Sequence, residues 1–297
     1  MAFLINVTKT LYLIVTWTCG SILNSSIVVV YLKDWKNGMN LGECERTILT
    51  MGCTNLFLQC FLTINETISI FDLHGLFLKE FTLVGCILYF FLSYVSMWFT
   101  AWLSICYCVK LVNFSHQLFI QFKRQISSAS TPFLFGSVLV SCLNNVPFIW
   151  TMDTEFLQNT TLSVDNFVYK VDLKFMSCNV VIGSCVPFLI TSICMGLSVM
   201  SLLRHVQRMK NNTSQSWNPQ LKSHVKACRT MSFLMILNLI FFVAVISVAI
   251  GLTQFKHVII RRIIYWSTVM ASPSAEAAIL ILGNTKLKLA LPKILFW

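Results

Sequence analysis

The side chains of this chain that could do chemistry stand mostly alone. Glu276 interrupts the apolar run 262–283. A lone carboxylate in such a run costs on the order of a few kcal/mol unless it finds a partner or a proton. Asn55 and Asn24, each inside another apolar run, are the polar groups read as able to meet it. Glu66 sits near the end of the run 47–70, where it either meets a cationic or hydrogen-bonding ligand or reaches the lipid headgroups. Tyr89 and Ser93 are one helical turn apart and share a face. His205 and His224 are 19 residues apart on a loop segment and are not read as a metal pair. Twelve cysteines are scattered through apolar runs with no CxxC pair, so they read as small hydrophobes and not as zinc ligands. There is no nucleophile–base constellation, no GxSxG and no phosphate-binding glycine loop. The expectation is no enzyme, no cofactor and no metal.

What must position these groups follows from composition. Charged residues are 11% of the 297, against about 25% in soluble domains. Hydrophobic residues make up 56%, and the mean hydropathy is +0.74. A soluble fold cannot hide that much apolar surface. Disorder, coiled coil and a disulfide scaffold are excluded by the same values, and the long apolar runs disfavour a membrane β-barrel. Runs of about 20 apolar residues each suffice to cross a bilayer. They predict an all-α membrane protein, a single seven-transmembrane helix bundle over 1–297, with spans at about 10–32, 47–70, 82–110, 130–150, 177–203, 230–252 and 262–283. The first run lacks a strongly basic start and a small-x-small cleavage site before Lys33, so it reads as a span and not as a signal peptide.

The net charge of +11 is a matter of topology, not of nucleic acid. Of the 22 Lys and Arg residues, fifteen fall in 33–46, 110–127, 204–229 and 284–297, all on one side of the predicted bundle. The positive-inside rule then places the N-terminus outside and the C-terminus in the cytosol. The sequon Asn159-Thr160-Thr161 falls in the predicted outer loop 151–176, where glycosylation is possible. The sequons at Asn113 and Asn212 face the cytosol in this topology and are out of reach.

A family resemblance appears at the end of the third span. Residues Trp98-Phe99-Thr100-Ala101-Trp102-Leu103-Ser104 through Asn113-Phe114-Ser115 resemble the WxATxLSxFYxLKIANFS signature of type 2 taste receptors, the bitter receptors. Ser201-Leu202-Leu203-Arg204-His205 through Met209 is similar to the family's SLxxHxxxM, and His224-Val225-Lys226-Ala227 with Ser232-Phe233-Leu234 to its DPxxxAHxxALKxxxSFL. Gly283-Asn284-Thr285-Lys286-Leu287-Lys288 resembles GNxKLK, and Asn24-Ser25-Ser26-Ile27 and Asp34-Trp35 add to the match. The chain departs from the family's pattern at four places. The usual Arg of LAxSR is Asn55, the usual HS is Glu276-Ala277, a loop Asp is Asn218, and a third-span Asn aligns with Ser93.

The resemblance implies a G-protein-coupled receptor in the plasma membrane, multi-pass, with small bitter-tasting molecules bound in the outer half of the bundle and a gustducin-like heterotrimeric G protein on the inner side. It maps Tyr89 and Ser93 to pocket-facing positions and Trp266 to a further lining position, with interface anchoring the alternative for Trp266. Glu66 joins them as a ligand-contact candidate. Glu276, near the inner end of its span, is a candidate switch element with Asn55 and Asn24. Lys110, His205 and Lys226 are candidates for the G-protein rim; the competing role for such charge is orientation and contact with anionic membrane lipids. The family generally lacks an outer disulfide, so none is expected between Cys86 and Cys178. The alternatives are another rhodopsin-like chemosensory receptor or a small transporter. Absent Asp-Arg-Tyr and Asn-Pro-x-x-Tyr motifs speak against the first, and the lack of paired midplane charges and of repeats against the second.

Overall fold

The computed structural model describes residues 2–71, 79–112, 117–147, 149, 152–156, 167–171, 173–211, 219–251 and 258–295. Its long helices are α1 (Ala2–Lys36), α2 (Glu43–Ile70), α3 (Lys79–Leu111) and α4 (Gln117–Asn145). After these come α5 (Leu173–Val180), α6 (Val186–Asn211), α7 (Pro219–Gly251), α8 (Val258–Gly283) and the short α9 (Thr285–Leu295). Five of the predicted spans, the first, second, third, fifth and sixth, coincide with helices both long and apolar enough to cross a membrane among the described residues. The fourth and seventh fall on α4 and α8, of 29 and 26 residues. The predicted outer loop holds an element that composition did not announce, an antiparallel hairpin of β1 (Met152–Phe156) and β2 (Phe167–Val171) with Met152 opposite Val171.

Helix ends follow their chemistry. At the end of α1, Gly38 takes a φ of 77°, the conformation that costs glycine nothing. The Met39 N–H bonds the Asp34 carbonyl at 3.1 Å and the Gly38 N–H the Trp35 carbonyl at 3.0 Å. This is a Schellman stop. Four residues on, Glu45 accepts the Gly42 N–H at 3.0 Å, and Glu43 and Glu45 set negative charge on the first turn of α2. Between α5 and α6 lies one π-helical turn, Val181–Cys185, where the Val186 N–H bonds the Val181 carbonyl. The cause is Pro187, which has no N–H to give and crowds the carbonyl four residues back; the wider turn makes room. The Tyr94 ring fills the space over Gly183, where an added Cβ would lie 2.5 Å from it.

The helices close into a ring. α1 packs on α2, α2 on α3, α3 on α4 and α6, α6 on α7, α7 on α8, and α8 returns to α1 and α2. The surface is turned inside out relative to a soluble protein. Leu11, Ile14, Phe57, Ile64, Leu189, Ile193 and Val243 face outward, while Asn24, Asn55, Gln59, Thr100 and Glu276 are buried. Apolar side chains lose nothing by facing lipid tails, and buried polar groups can then hold helices together. Two apolar clusters fill the interior. One contains Leu13, Leu58, Leu62, Tyr89, Met97, Phe241, Val269 and Met270; the other contains Ile27, Tyr31, Ile48, Met51, Phe99, Trp102, Leu103 and Leu280. On α1, α2 and α8 the buried residues lying between the two clusters are polar or small: Thr16, Gly20, Asn24 and Ser26, then Gly52 and Asn55, then Pro273 and Glu276. The interior is therefore layered, apolar–polar–apolar.

Candidate functional site

The polar layer centres on Glu276, 4% exposed. Asn55 Nδ2 donates to its Oε2 at 3.0 Å and Ser96 Oγ donates to the same oxygen at 2.8 Å. Three helices, α2, α3 and α8, thus meet on one carboxylate oxygen. Asn24 is close by in the layer but bonds elsewhere. Its Nδ2 donates to the Gly20 and Pro273 carbonyls at 3.0 and 3.2 Å. That joins α1 to α8 at the helix-interior proline, and Ser274 adds a bond to the Thr16 carbonyl at 2.9 Å. So of the two asparagines paired with Glu276 by expectation, the structure brings one to it. Ser96 was missed. Its signal is its position three residues past Ser93, on the face of Tyr89 and Ser93.

Glu276 borders a cavity of about 20 Å³, lined also by Tyr89, Ser93, Ser96, Asn238 and Ser272 among others. Tyr89 and Ser93 therefore share a wall with Glu276. Such a volume admits a guest the size of one water. Tyr265 donates its hydroxyl to the Tyr89 oxygen at 3.2 Å, tying α8 to α3. Ser93 is buried in this wall, one helical turn from Tyr89. Asn238, a polar residue inside an apolar span, is the other lining residue that sequence reasoning passed over.

Trp266 and Glu66 do not line this cavity. They gather at the N-terminal end of α1, around Lys9. Lys9 Nζ lies 3.6 Å from Glu66 Oε1 and 5.4 Å from the centre of the Trp266 ring, and Trp266 packs against Tyr12 at 5.2 Å between centroids. Tyr12 donates to the Ser267 carbonyl at 2.8 Å.

At the opposite end the predicted rim residues have distinct settings. Lys110 is exposed at the last turn of α3. Lys226 donates to Thr285 Oγ1 at 2.7 Å, linking α7 to α9. His205 falls within α6. Asn159 lies outside the described residues. The resemblance motif around Asn284 acquires a structural account. Asn284 Oδ1 accepts the Lys286 N–H at 3.0 Å, capping α9, and its Nδ2 donates to the Tyr31 hydroxyl at 2.7 Å. Lys286 Nζ reaches Asp34 at 2.5 Å and Glu45 at 3.7 Å, above the Tyr31 ring. Hydrogen bonding to the Asp34 carboxylate holds the Lys286 ammonium above the usual lysine range.

Comparison with known proteins agrees with this architecture. The family profile described as "Taste receptor protein (TAS2R)" matches residues 1–297. Taste receptor type 2 member 4 of Pan troglodytes is 28% identical over 280 residues, covering 93% of this chain and 92% of its own length. The Homo sapiens protein of the same name gives the same values. The Mus musculus one is 26% identical over 293 residues, with coverage of 93% and 92%. A match along the whole length, on a bundle with lipid-facing apolar surfaces and a polar interior layer, leaves no doubt about kinship: the chain belongs to the TAS2R taste receptor family and is a multi-pass membrane receptor, not an enzyme.

Proposed function

We propose that the chain is a bitter taste receptor of the plasma membrane, with seven spans, an outer N-terminus and a cytosolic C-terminus. The observation that carries the reading is the family match over residues 1–297. α4 and α8 supply the fourth and seventh spans in this reading, since their 29 and 26 residues exceed the roughly 20 a bilayer needs. A small, largely apolar molecule enters from the outer side and wedges between Tyr89 and Ser93. The cavity there is smaller than such a molecule, so binding selects an arrangement in which α3, α7 and α8 stand further apart. Trp266 and Glu66, nearer the outer end, form the rim that the molecule passes. Opening around Glu276 loosens the contacts with Asn55 and Ser96, and the change reaches the inner ends of α3, α6 and α7. Lys110, His205 and Lys226 there receive a gustducin-type G protein, with anionic lipid headgroups as their resting company. Asn159 is a glycosylation site in the outer loop.

The test is a calcium assay in cells expressing the chain with a promiscuous chimeric Gα, against a panel of bitter compounds. Tyr89→Ala at matched surface expression should shift the response at least about tenfold, the effect of losing roughly 1.4 kcal/mol. An unshifted response removes Tyr89 from the site, and silence of the wild type across the panel removes the bitter assignment.

A further inference from the structure

Asn238 of α7 is 7% exposed, and its side chain makes no hydrogen bond among the described residues. It lines two cavities at once. The first is the space beside Glu276, of about 20 Å³. The second, of about 10 Å³, is lined by Met97, Ser184, Pro187, Phe188, Asn238 and Phe242. An unpaired amide inside a spanning bundle is destabilising, and the resting fold gains nothing from it. A buried polar group without a partner therefore points to a partner from outside the chain.

The divide between the two cavities is thin. Asn238 and Met97 of α3 line both. Phe241 and Phe242 lie three and four residues beyond Asn238, so the amide is one helical turn from each ring. Phe241 lines the first cavity and Phe242 the second. Methionine is unbranched and changes rotamer readily. Once Met97 swings aside, the two spaces join into one slot, with an aromatic ring toward each end and the amide between them. The second cavity also abuts the π turn Val181–Cys185, an irregularity frequent at functional sites. No Lys, Arg or His lines either cavity among the described residues. An anionic guest would go unpaired in the bilayer interior. Buried N–H groups are left unpaired less often than carbonyls, so the two N–H bonds of Asn238 make the stronger demand. A neutral carbonyl meets that demand and brings no donor of its own.

We propose that Asn238 is the polar anchor of the ligand site, and that the site takes neutral molecules in which two apolar, ring-bearing halves flank one carbonyl. Asn238 Nδ2 donates to that oxygen, and the halves lie against Phe241 and Phe242. This rests on the reading that the guest binds in the cavity beside Tyr89 and Ser93. It adds the chemical class of the guest and a second compartment toward α6.

The probe is benzophenone, two phenyl rings on one carbonyl, and its competitor is diphenylmethane, the same rings on a methylene. Under near-ultraviolet light the ketone carbon bonds a neighbouring side-chain carbon, whose hydrogen passes to the ketone oxygen. The purified full-length chain in lipid nanodiscs is irradiated with increasing benzophenone, and the attachment is located by mass spectrometry. A saturable label should appear at Met97. Diphenylmethane should displace it only at about tenfold higher concentration, the effect of one missing buried hydrogen bond. Asn238→Leu, of similar volume, should melt at or above the wild type. It should weaken benzophenone about tenfold and leave diphenylmethane unchanged. A label that does not saturate, or that falls only outside the two cavities, would overturn the proposal together with the ligand cavity. A Met97 label that survives Asn238→Leu undiminished, or that diphenylmethane displaces equally well, would overturn the anchor and leave the cavity standing. A variant that fails to fold, or melts more than about 4 °C lower, would assign the amide to the fold and overturn the anchor as well. No G protein takes part, so silence in the calcium assay leaves each of these outcomes unchanged.

Discussion

Removing Asn55 tests the polar layer most directly. Its side chain is fully buried and donates to Glu276 at 3.0 Å across the α2–α8 boundary. Interhelical hydrogen bonds in membranes are worth about 0.6 kcal/mol on average and up to about 1.7. This acceptor is a carboxyl group with only two donors, which places the bond at the upper end. Asn55→Ala should therefore cost about 2–3 kcal/mol, of which about 1 is the space left by the truncated side chain. In a Glu276→Leu background, where the acceptor is gone, the same substitution should cost only the space, about 1 kcal/mol. The coupling between the two positions is then about 1–2 kcal/mol. The assay is a double-mutant cycle on thermal unfolding, where about 2–4 °C corresponds to 1 kcal/mol in a large domain. Effects that add to within about 0.5 kcal/mol would mean that the hydrogen bond contributes nothing and that the layer is packing alone.

Two further outcomes follow from the same geometry. Gly20→Val places a Cβ 2.7 Å from both Gln59 Oε1 and Ser274 Oγ, so α1 must move outward, at about 1–3 kcal/mol; Gly136→Ala, with nothing within 4 Å, should leave the Tm unchanged or slightly raised, and similar losses for both would refute close approach at Gly20. Lys286→Met should cost about 0.5–1 kcal/mol, because the ammonium is 42% exposed and solvent screens its pairing with Asp34. Its pKa is raised in the fold, so the contribution is complete below the ordinary lysine value of about 10.4 and fades only above it. The Tm difference between variant and wild type should therefore stay constant from about pH 6 to 8, and a difference that changes over that interval would assign the effect to another group.

The helices themselves were legible because apolar runs of span length admit little else, and the helix stop at Gly38 follows from residue type. The fine placement of the site was not. Glu276 stood out as a lone acid, but choosing between Asn55 and Asn24 needs the rotation of α1 and α2 about their axes. Periodicity fixes that poorly when nearly every residue is apolar. Trp266 entered as a lining position implied by the family resemblance, and in the structure its neighbour Tyr265 is the one that touches Tyr89. A step of one residue turns a helix by about 100°, enough to exchange cavity for outer rim. Ser96 and Asn238 went unread because single hydroxyls and amides in a span are cheap enough to be ordinary. Their meaning comes only from convergence on one space. The β1–β2 hairpin and the π turn before Pro187 depend on contacts that no local pattern announces.

The layered interior also bears on how such a chain can diverge. Two of the positions at which it leaves its family's pattern, Asn55 and Glu276, are the two that touch. An Arg and a His there would be a basic pair; here an amide faces an acid. Replacing only the His by Glu would set a buried guanidinium on a carboxylate, and replacing only the Arg would leave the His without its neighbour. Each member of the pair therefore restricts what its partner can become. In the apolar clusters above and below, one hydrophobe substitutes for another with little consequence. The polar layer is thus where sequences at 28% identity should be compared as pairs of positions and not as single columns.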